Sequence, residues 1–160
     1  MLSMTGIIIA ITSMAGVSAT FGQEADHASG KPLLEVRAVG AQIYQCKETD
    51  SDGLKWMLRE PIATLVDGGR TIGTHSRGPT WKIEDGSSVE GRVLSASTGH
   101  STGNIPESHL AITRNNGRGR LAKATMIERI NTNGGMPPSS CSVAGALLAV
   151  PYTATYIFRQ

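Results

Sequence analysis

The chain has 160 residues, with 15 Lys and Arg against 13 Asp and Glu, and its formal net charge is +2. A charge that small argues against a nucleic-acid partner and against attraction to an anionic membrane surface, because both require concentrated positive charge. The length is that of a single domain able to bury a core of its own.

An uncharged apolar run occupies residues 7–17, and small residues follow it. The run is too short to cross a bilayer, which takes ~20 residues, and a short apolar run followed by small residues is typical of a secretory signal peptide. We predict that residues 1–22 are removed by cleavage after Ala19 or Gly22, with an uncleaved anchor as the alternative. The mature protein is then expected to be secreted, to the periplasm or the extracellular space, without a transmembrane span.

Turn signals punctuate the mature chain, and short segments rich in β-branched residues lie between them. The turn signals are Asp67-Gly68-Gly69, Asp85-Gly86-Ser87, Asn116-Gly117 and Asn133-Gly134-Gly135. The predicted strands are 41–47, 63–66, 71–75, 80–83, 89–94, 110–113 and 125–130. This spacing predicts an all-β domain over residues 33–160, either an antiparallel sandwich or a partly open barrel. Residues 23–32 are polar and predict a disordered lead-in.

The clearest predicted strand is the last one. Apolar residues occupy alternate positions along it, as they do in a strand with one buried face. The apolar face carries Val150, Tyr152, Ala154, Tyr156 and Phe158, and the opposite face carries Thr153, Thr155 and Arg159. Residues 143–149 form an apolar run that fits either a short helix or a buried strand, and periodicity does not decide between them.

Both cysteines, Cys46 and Cys141, lie in the part of the chain that is expected to be exported. An even number of cysteines in an oxidising compartment favours a disulfide. Pairing would close a loop of about 95 residues, for which loop-closure entropy gives ~4–5 kcal/mol. Two sulfurs without closely spaced His or Cys partners make a poor zinc site, and a catalytic thiol would have to stay reduced outside the cell. We therefore predict a Cys46–Cys141 bridge.

A series of short motifs runs in order from about Gly40 to Phe158. The motifs are Gln42-Ile43-Tyr44-Gln45-Cys46, Trp56 with Pro61-Ile62-Ala63-Thr64-Leu65, Gly73-Thr74-His75, Gly78-Pro79-Thr80-Trp81, Asp85-Gly86-Ser87-Ser88-Val89, Arg129-Ile130-Asn131-Thr132-Asn133-Gly134-Gly135, Pro137, Cys141 and Val150-Pro151-Tyr152-Thr153-Ala154-Thr155-Tyr156. With these motifs the chain resembles a family of secreted bacterial and fungal proteins known only as a domain of unknown function. The resemblance implies a secreted, mostly β domain, and it supplies no established catalytic residues.

The chain departs from that family in one segment, Ile105-Pro106-Glu107-Ser108-His109-Leu110. The family usually has an apolar stretch with Trp after the Ile-Pro pair, where this chain has Glu107-Ser108-His109. The resemblance therefore gives no basis for expecting, in this protein, a pocket or contact surface that the apolar version builds.

The densest motif runs from Gly73 to Trp81 and supplies the candidate binding residues His75, Arg77 and Trp81. His75 and Arg77 stand two positions apart in an extended segment, so an imidazole and a guanidinium could face one ligand. Trp81, like Trp56, could offer an indole face to a sugar, although a chain with 4% aromatic residues is expected to keep its large rings in the core. A His75 that only fixes the adjoining turn is the structural alternative.

Catalysis by His75 would need a second polar group. Asp85 follows a short predicted hairpin and Arg77 lies two residues away, so either could assist His75 as a general base in a small extracellular hydrolase or lyase. The sequence Asp85-Gly86-Ser87 is more typical of a turn capped by the Asp side chain. Ser87 lacks the strand–turn–helix setting of a nucleophilic serine, so a triad with His75 and Asp85 is not supported.

No metal or cofactor is predicted. His75, His100 and His109 match no metal-ligand spacing. Residues 117–122 fit the Gly-x-Gly-x-x-Ala pattern of dinucleotide sites, but a hairpin is expected there rather than the helix N-terminus that a pyrophosphate needs.

These observations favour a secreted β domain that binds a glycan or another protein of the cell envelope or its surroundings. The alternative is the hydrolase or lyase. The two functions differ in geometry. An enzyme should bring His75, Asp85 and another polar group together in a concave pocket, whereas a binding module should present a flatter exposed face or an exposed Trp.

Overall fold

The computed structural model describes residues 30–50, 52–97 and 102–160. The predicted signal peptide and most of the predicted lead-in lie outside these residues. The described chain contains no helix that could cross a membrane.

Eight β-strands account for most of the described residues. They are β1 (Pro32–Thr49), β2 (Gly53–Asp67), β3 (Arg70–Ser76), β4 (Thr80–Ile83), β5 (Ser88–Ser97), β6 (Glu107–Asn116), β7 (Met126–Gly134) and β8 (Leu147–Arg159). Each predicted segment falls within or overlaps one of these strands, and most strands run longer than predicted. The apolar run whose structure was left open is a turn up to Ala146 followed by the start of β8.

Each strand pairs antiparallel with the next, and β8 pairs with β1, so the sheet closes into a barrel. In the closing pair Val36 lies opposite Tyr156 and Gly40 opposite Tyr152. The all-β prediction is confirmed, and the pairing of the first strand with the last makes the fold a closed barrel rather than a sandwich. Closure satisfies the backbone hydrogen bonds that the two edge strands of an open sheet would leave exposed.

The inward faces of the strands form one core. Along β8, Tyr152, Ala154, Tyr156 and Phe158 are buried, which confirms the alternation predicted for this strand. The core also contains Trp81, Leu65, Ile72, Ile83, Val89, Leu121 and Ile127, each at most 1% exposed. Because one strand face points inward all around the barrel, every inward side chain contributes to the same interior.

The segment between β6 and β7 is a turn, as predicted, and not the start of a helix. Gly117 has φ +78°, in the left-handed region that favours glycine. At Gly119 a Cβ atom would come within 2.5 Å of the Asp85 carboxylate. This close approach explains why a residue without a side chain stands there.

The predicted disulfide joins Cys46 and Cys141, with the two Cα atoms 5.9 Å apart. Cys46 lies on β1, and Cys141 lies in the loop that leads into β8. The backbone N–H of Cys46 donates to the carbonyl of Ala146, and the N–H of Gly145 donates to the carbonyl of Cys46, at 2.9 and 2.8 Å. The bridge therefore fastens the entrance of the closing strand to its neighbour.

Replacement of both cysteines, Cys46→Ser with Cys141→Ser, removes this link. We expect the free energy of unfolding to fall by about 2–5 kcal/mol, because the unfolded chain is no longer closed across a separation of 95 residues. Urea denaturation of the variant and the parent measures the difference. Equal midpoints with equal slopes would contradict the expectation.

Candidate functional site

A cavity of about 440 Å³ lies within the barrel. Each of the eight strands contributes at least one residue to its wall, and the turn between β3 and β4 contributes three more. The wall consists of Gln42, Leu58, Arg59, Glu60, Pro61, His75, Arg77, Gly78, Pro79, Trp81, Val93, Leu110, Arg129 and Tyr156. Its volume is in the range of pockets that hold small molecules, ~300–1,000 Å³.

His75, on β3, lines the cavity and is buried, with 3% of its surface exposed. Its Nδ1 lies 3.0 Å from the carbonyl oxygen of Thr80. A carbonyl only accepts hydrogen bonds, so Nδ1 carries the proton and Nε2 is left as an acceptor. Burial lowers the pKa of His75 to about 4, against the opposing effect of the Thr80 hydrogen bond. The imidazole is therefore neutral at neutral pH.

Trp81 stacks on His75, with ring centroids 4.3 Å apart and planes 9° from parallel. Tyr156 meets both rings edge-on, at 5.1 and 5.3 Å. Trp81 is 1% exposed, so the prediction that it packs in the core agrees with its position. The same ring also forms part of the cavity wall, so Trp81 belongs to the core and borders a space that a ligand could occupy. Trp56 is half-buried and borders a neighbouring cavity of about 290 Å³.

Several buried polar atoms of the barrel make no hydrogen bond to any part of the chain that the structure describes. They are Gln42 Oε1, Trp81 Nε1, Ser108 Oγ, Thr132 Oγ1, the hydroxyls of Tyr152 and Tyr156, and Arg159 Nε. Gln42, Trp81 and Tyr156 belong to the wall of the 440 Å³ cavity. A buried polar group without a partner costs ~1–3 kcal/mol, and most proteins satisfy nearly all of them. Three of these seven atoms belong to residues that line one cavity.

Arg129, on β7, is a half-buried cation that the cavities of the barrel share. It lies opposite the buried Tyr156 on β8 and borders three cavities, those of about 440, 290 and 230 Å³. Its Nε donates to the carbonyl of Pro106 at 3.0 Å. Among the ion pairs between described residues, none involves Arg129.

The positive charge of Arg129 affects the pKa values of three buried tyrosines. Burial raises the pKa of Tyr44, Tyr152 and Tyr156, and the Arg129 guanidinium opposes that rise in each case. The Tyr152 hydroxyl and the Arg129 side chain both lie close enough to the Tyr156 hydroxyl to affect its pKa. The positive charge of Arg129 thus acts on three tyrosine hydroxyls of the barrel.

Two further cations stand on the cavity wall. Arg77 is exposed in the turn that follows β3 and shares the cavity with His75. Arg59 also lies on the wall, and its Nε forms an ion pair of 3.1 Å with the carboxylate of Glu60. The predicted binding residues His75, Arg77 and Trp81 are therefore brought to one cavity.

Asp85 is not part of that cavity. Its carboxylate accepts hydrogen bonds from the backbone N–H and the hydroxyl of Ser87, at 2.9 and 2.6 Å, and from the N–H of Arg120 at 2.9 Å. The Arg120 N–H and the Ser87 hydroxyl lower its pKa. Asp85 follows the end of β4, whereas His75 lies opposite Trp81 near its start. The structure therefore does not bring His75 and Asp85 together, and Asp85 caps its turn.

Ser87 and the remaining histidines give no catalytic or metal-binding constellation. Ser87 is fully buried, and its hydroxyl is bound between Asp85 and the N–H of Leu121. His109 lies on β6 beside the cavity of about 230 Å³, and His100 lies outside the described residues. Within the described ranges, no three His, Cys, Asp or Glu side chains are grouped so that they could hold a metal ion.

Three wall residues were not singled out by sequence reasoning as site residues: Gln42, Arg129 and Tyr156. They come from β1, β7 and β8 and meet only because the barrel closes. One signal was present in the sequence. Arg129 stands two positions after Ile127 in a predicted strand, so the two share a face, and a charge on the face of a core residue is unusual.

Residues 27–160 match the family described as Protein of unknown function (DUF3455), and the chain belongs to that family. The match covers the whole barrel. No curated protein and no solved structure is significantly similar to the chain.

The buried His75 makes stability depend on pH. Its pKa is about 4 in the folded protein, against 6.5 for the free side chain, so the unfolded chain binds the proton more readily. Above pH ~6.5 the titration of His75 does not lower the free energy of unfolding. As the pH drops from ~6.5 toward 4, the free energy of unfolding falls by about 3 kcal/mol in all. Urea denaturation at a series of pH values measures the loss.

Replacement of the imidazole provides the control. In His75→Gln this acid-side loss should largely disappear, whereas His109→Gln, a histidine outside the 440 Å³ cavity, should keep it. An equally steep fall in stability for His75→Gln and the parent would show that another group is responsible.

Asp85→Ala tests the structural role assigned to the carboxylate. The variant loses an acceptor of three hydrogen bonds, so we expect the free energy of unfolding to fall by about 2–3 kcal/mol. The NMR signals of His75 and Trp81 should remain at their positions, because Asp85 does not border the cavity. A shifted Trp81 indole signal together with unchanged stability would reverse the assignment.

Proposed function

We propose that the protein is a secreted binding module whose site is the barrel cavity. The observation that carries this proposal is the set of buried polar atoms without partners on one cavity wall, Trp81 Nε1 above all. An indole N–H can only donate, and at 1% exposure it meets little bulk water. A ligand that supplies an acceptor to this N–H would remove the free-energy cost of a buried donor without a hydrogen bond.

The shape of the site favours a small molecule, or the end of a larger one, over a broad protein surface. A cavity of about 440 Å³ is concave and partly open to the solvent, whereas protein–protein contacts of standard size bury ~800 Å² on each partner across a flatter face. A glycan would enter by a terminal residue. An envelope protein would have to insert a single side chain.

The neutral His75 suits binding better than catalysis. A general base works best when its pKa lies near the working pH. A pKa of about 4 makes Nε2 a weak base, though still a good hydrogen-bond acceptor. A hydrolase or lyase that uses His75 with Arg77 remains the alternative, since both residues border the cavity. Asp85 does not assist His75 in this alternative, because its carboxylate is hydrogen-bonded within its own turn.

Export is part of the proposal and rests on the apolar N-terminal run. The Cys46–Cys141 bridge is in keeping with it, because disulfides persist in oxidising compartments. Together these features suggest a protein that meets its ligand in the periplasm or outside the cell.

Occupation of the cavity can be followed through Trp81. The chain has two tryptophans, so the protein gives two indole N–H signals by NMR, and Trp56→Phe identifies the one from Trp81. Hexanol, hexanoate, benzyl alcohol and glucuronate serve as probes. We expect at least one of them to shift the Trp81 signal in a saturable way.

Two neighbouring residues of β5 supply a matched pair of variants. Val93 borders the cavity, Leu94 does not, and the two are similarly exposed, at 49% and 54%. Val93→Trp should narrow the cavity and weaken probe binding at least fivefold, while Leu94→Trp should leave it unchanged. If no probe shifts the Trp81 signal, or if both variants bind like the parent, the cavity is not the binding site.

A further inference from the structure

Arg129 brings a half-buried positive charge to the cavity wall, and no carboxylate of the described residues forms an ion pair with it. The ion pairs between described residues engage Arg59, Arg70, Arg114, Arg120 and Arg159 with carboxylates, and Arg129 is not among them. Its one hydrogen bond from Nε goes to the carbonyl of Pro106. A charge withdrawn from water is costly unless an opposite charge meets it. Among the described residues, Arg129 is therefore a cation at the cavity wall that no carboxylate engages in an ion pair.

Three groups near Arg129 can donate a hydrogen bond: Trp81 Nε1 and the hydroxyls of Tyr156 and Ser108. All three are buried and have no hydrogen-bond partner among the residues that the structure describes. Gln42 Oε1 and His75 Nε2, on the wall of the larger cavity, are acceptors. Tyr156 and Trp81 share the cavity of about 440 Å³ with Arg129, and Ser108 shares the adjoining one of about 230 Å³. Glu60, the carboxylate on the wall of the larger cavity, is paired with Arg59. Such a lining suits a ligand group that carries negative charge and several acceptor lone pairs.

The rest of the wall is apolar. Leu58, Pro61, Pro79, Val93 and Leu110 border the same cavity as Arg129. Leu58 and Val93 are 57% and 49% exposed, so part of this apolar surface faces the solvent. A ligand that filled the cavity would bury apolar surface at one end while its charged group met Arg129 at the other.

We propose that the barrel cavity binds a small carboxylate with an apolar body, and that Arg129 holds the carboxylate. This inference rests on the proposed function and adds the class of ligand. The planar guanidinium matches a carboxylate in geometry, and its hydrogen bond to the carbonyl of Pro106 uses Nε.

Hexanoate and hexanol test the charge, because they share an alkyl chain and differ in the head group. We expect hexanoate to bind at least tenfold more tightly than hexanol, followed by the Trp81 indole signal. Arg129→Gln should weaken hexanoate about tenfold to a hundredfold, the range of a charge-assisted hydrogen bond, and leave hexanol unchanged. Arg37→Gln removes an exposed charge on the outward face of β1 and should keep the preference.

Two further variants separate recognition from a structural role. Arg129→Lys keeps the charge but not the planar fork, so it should retain a weaker preference for hexanoate. Arg129→Met removes the charge, and without probe it should unfold at or above the temperature of the parent, because the unpaired cation is gone. A lower unfolding temperature for Arg129→Met, with the hexanoate preference intact in Arg129→Lys and Arg129→Gln alike, would make Arg129 a structural residue and overturn the inference.

The remaining outcomes distinguish this inference from the proposed function. Equal binding of hexanoate and hexanol within the cavity would leave the binding module standing and refute the carboxylate. Glucuronate carries its carboxylate on a polar ring, so tighter binding of glucuronate than of hexanoate would refute the apolar body. If none of the probes shifts the Trp81 signal, the binding module and the carboxylate site are refuted together.

Discussion

The pairing of β1 with β8 is the constraint on which the rest of the structure depends. It joins residues at opposite ends of the domain, with Leu34 opposite Phe158 and Gln42 opposite Val150, and it turns a meander of strands into a ring. In a ring, one face of every strand points to the same enclosed space. Gln42, His75, Arg129 and Tyr156 are distant in sequence and share a wall for that reason alone. The disulfide at Cys46 secures the same seam from outside the ladder.

The interior of the ring contains buried polar atoms that have no hydrogen-bond partner among the described residues, and such atoms lower the stability of the fold. A barrel of this size could be filled with apolar side chains, and Phe158, Leu65 and Ile83 belong to a core that is packed in that way. Around Arg129 the barrel contains cavities, and the described residues offer no hydrogen-bond partner to the buried Trp81 Nε1 and Tyr156 hydroxyl. Such local departures from good packing and hydrogen bonding are characteristic of functional sites, where stability is given up for recognition. The cavities beside this core, with their unpartnered polar groups, are thus the physical basis of the proposed site.

The sequence predicted the local features well and the closure only in part. Alternation along β8 identified the inward Tyr152, Tyr156 and Phe158, because strand periodicity is a local property. Sandwich and barrel give the same alternation, so the sequence could not show that β1 meets β8. For this reason Gln42 and Arg129, which join His75 only across the ring, were missed as site residues. Asp85 was considered as a partner of His75 because sequence distance does not show that β4 separates them.

A crystal structure of the protein grown with hexanoate would show where Arg129 acts. We expect the carboxylate within hydrogen-bonding distance of the Arg129 guanidinium, with the alkyl chain in the barrel cavity and in contact with Trp81. The indole N–H of Trp81 should then point to an acceptor that belongs to the ligand or to a water held by it. Hexanoate bound only on the outer face of the barrel, or enclosed with its carboxylate turned away from Arg129, would contradict the account.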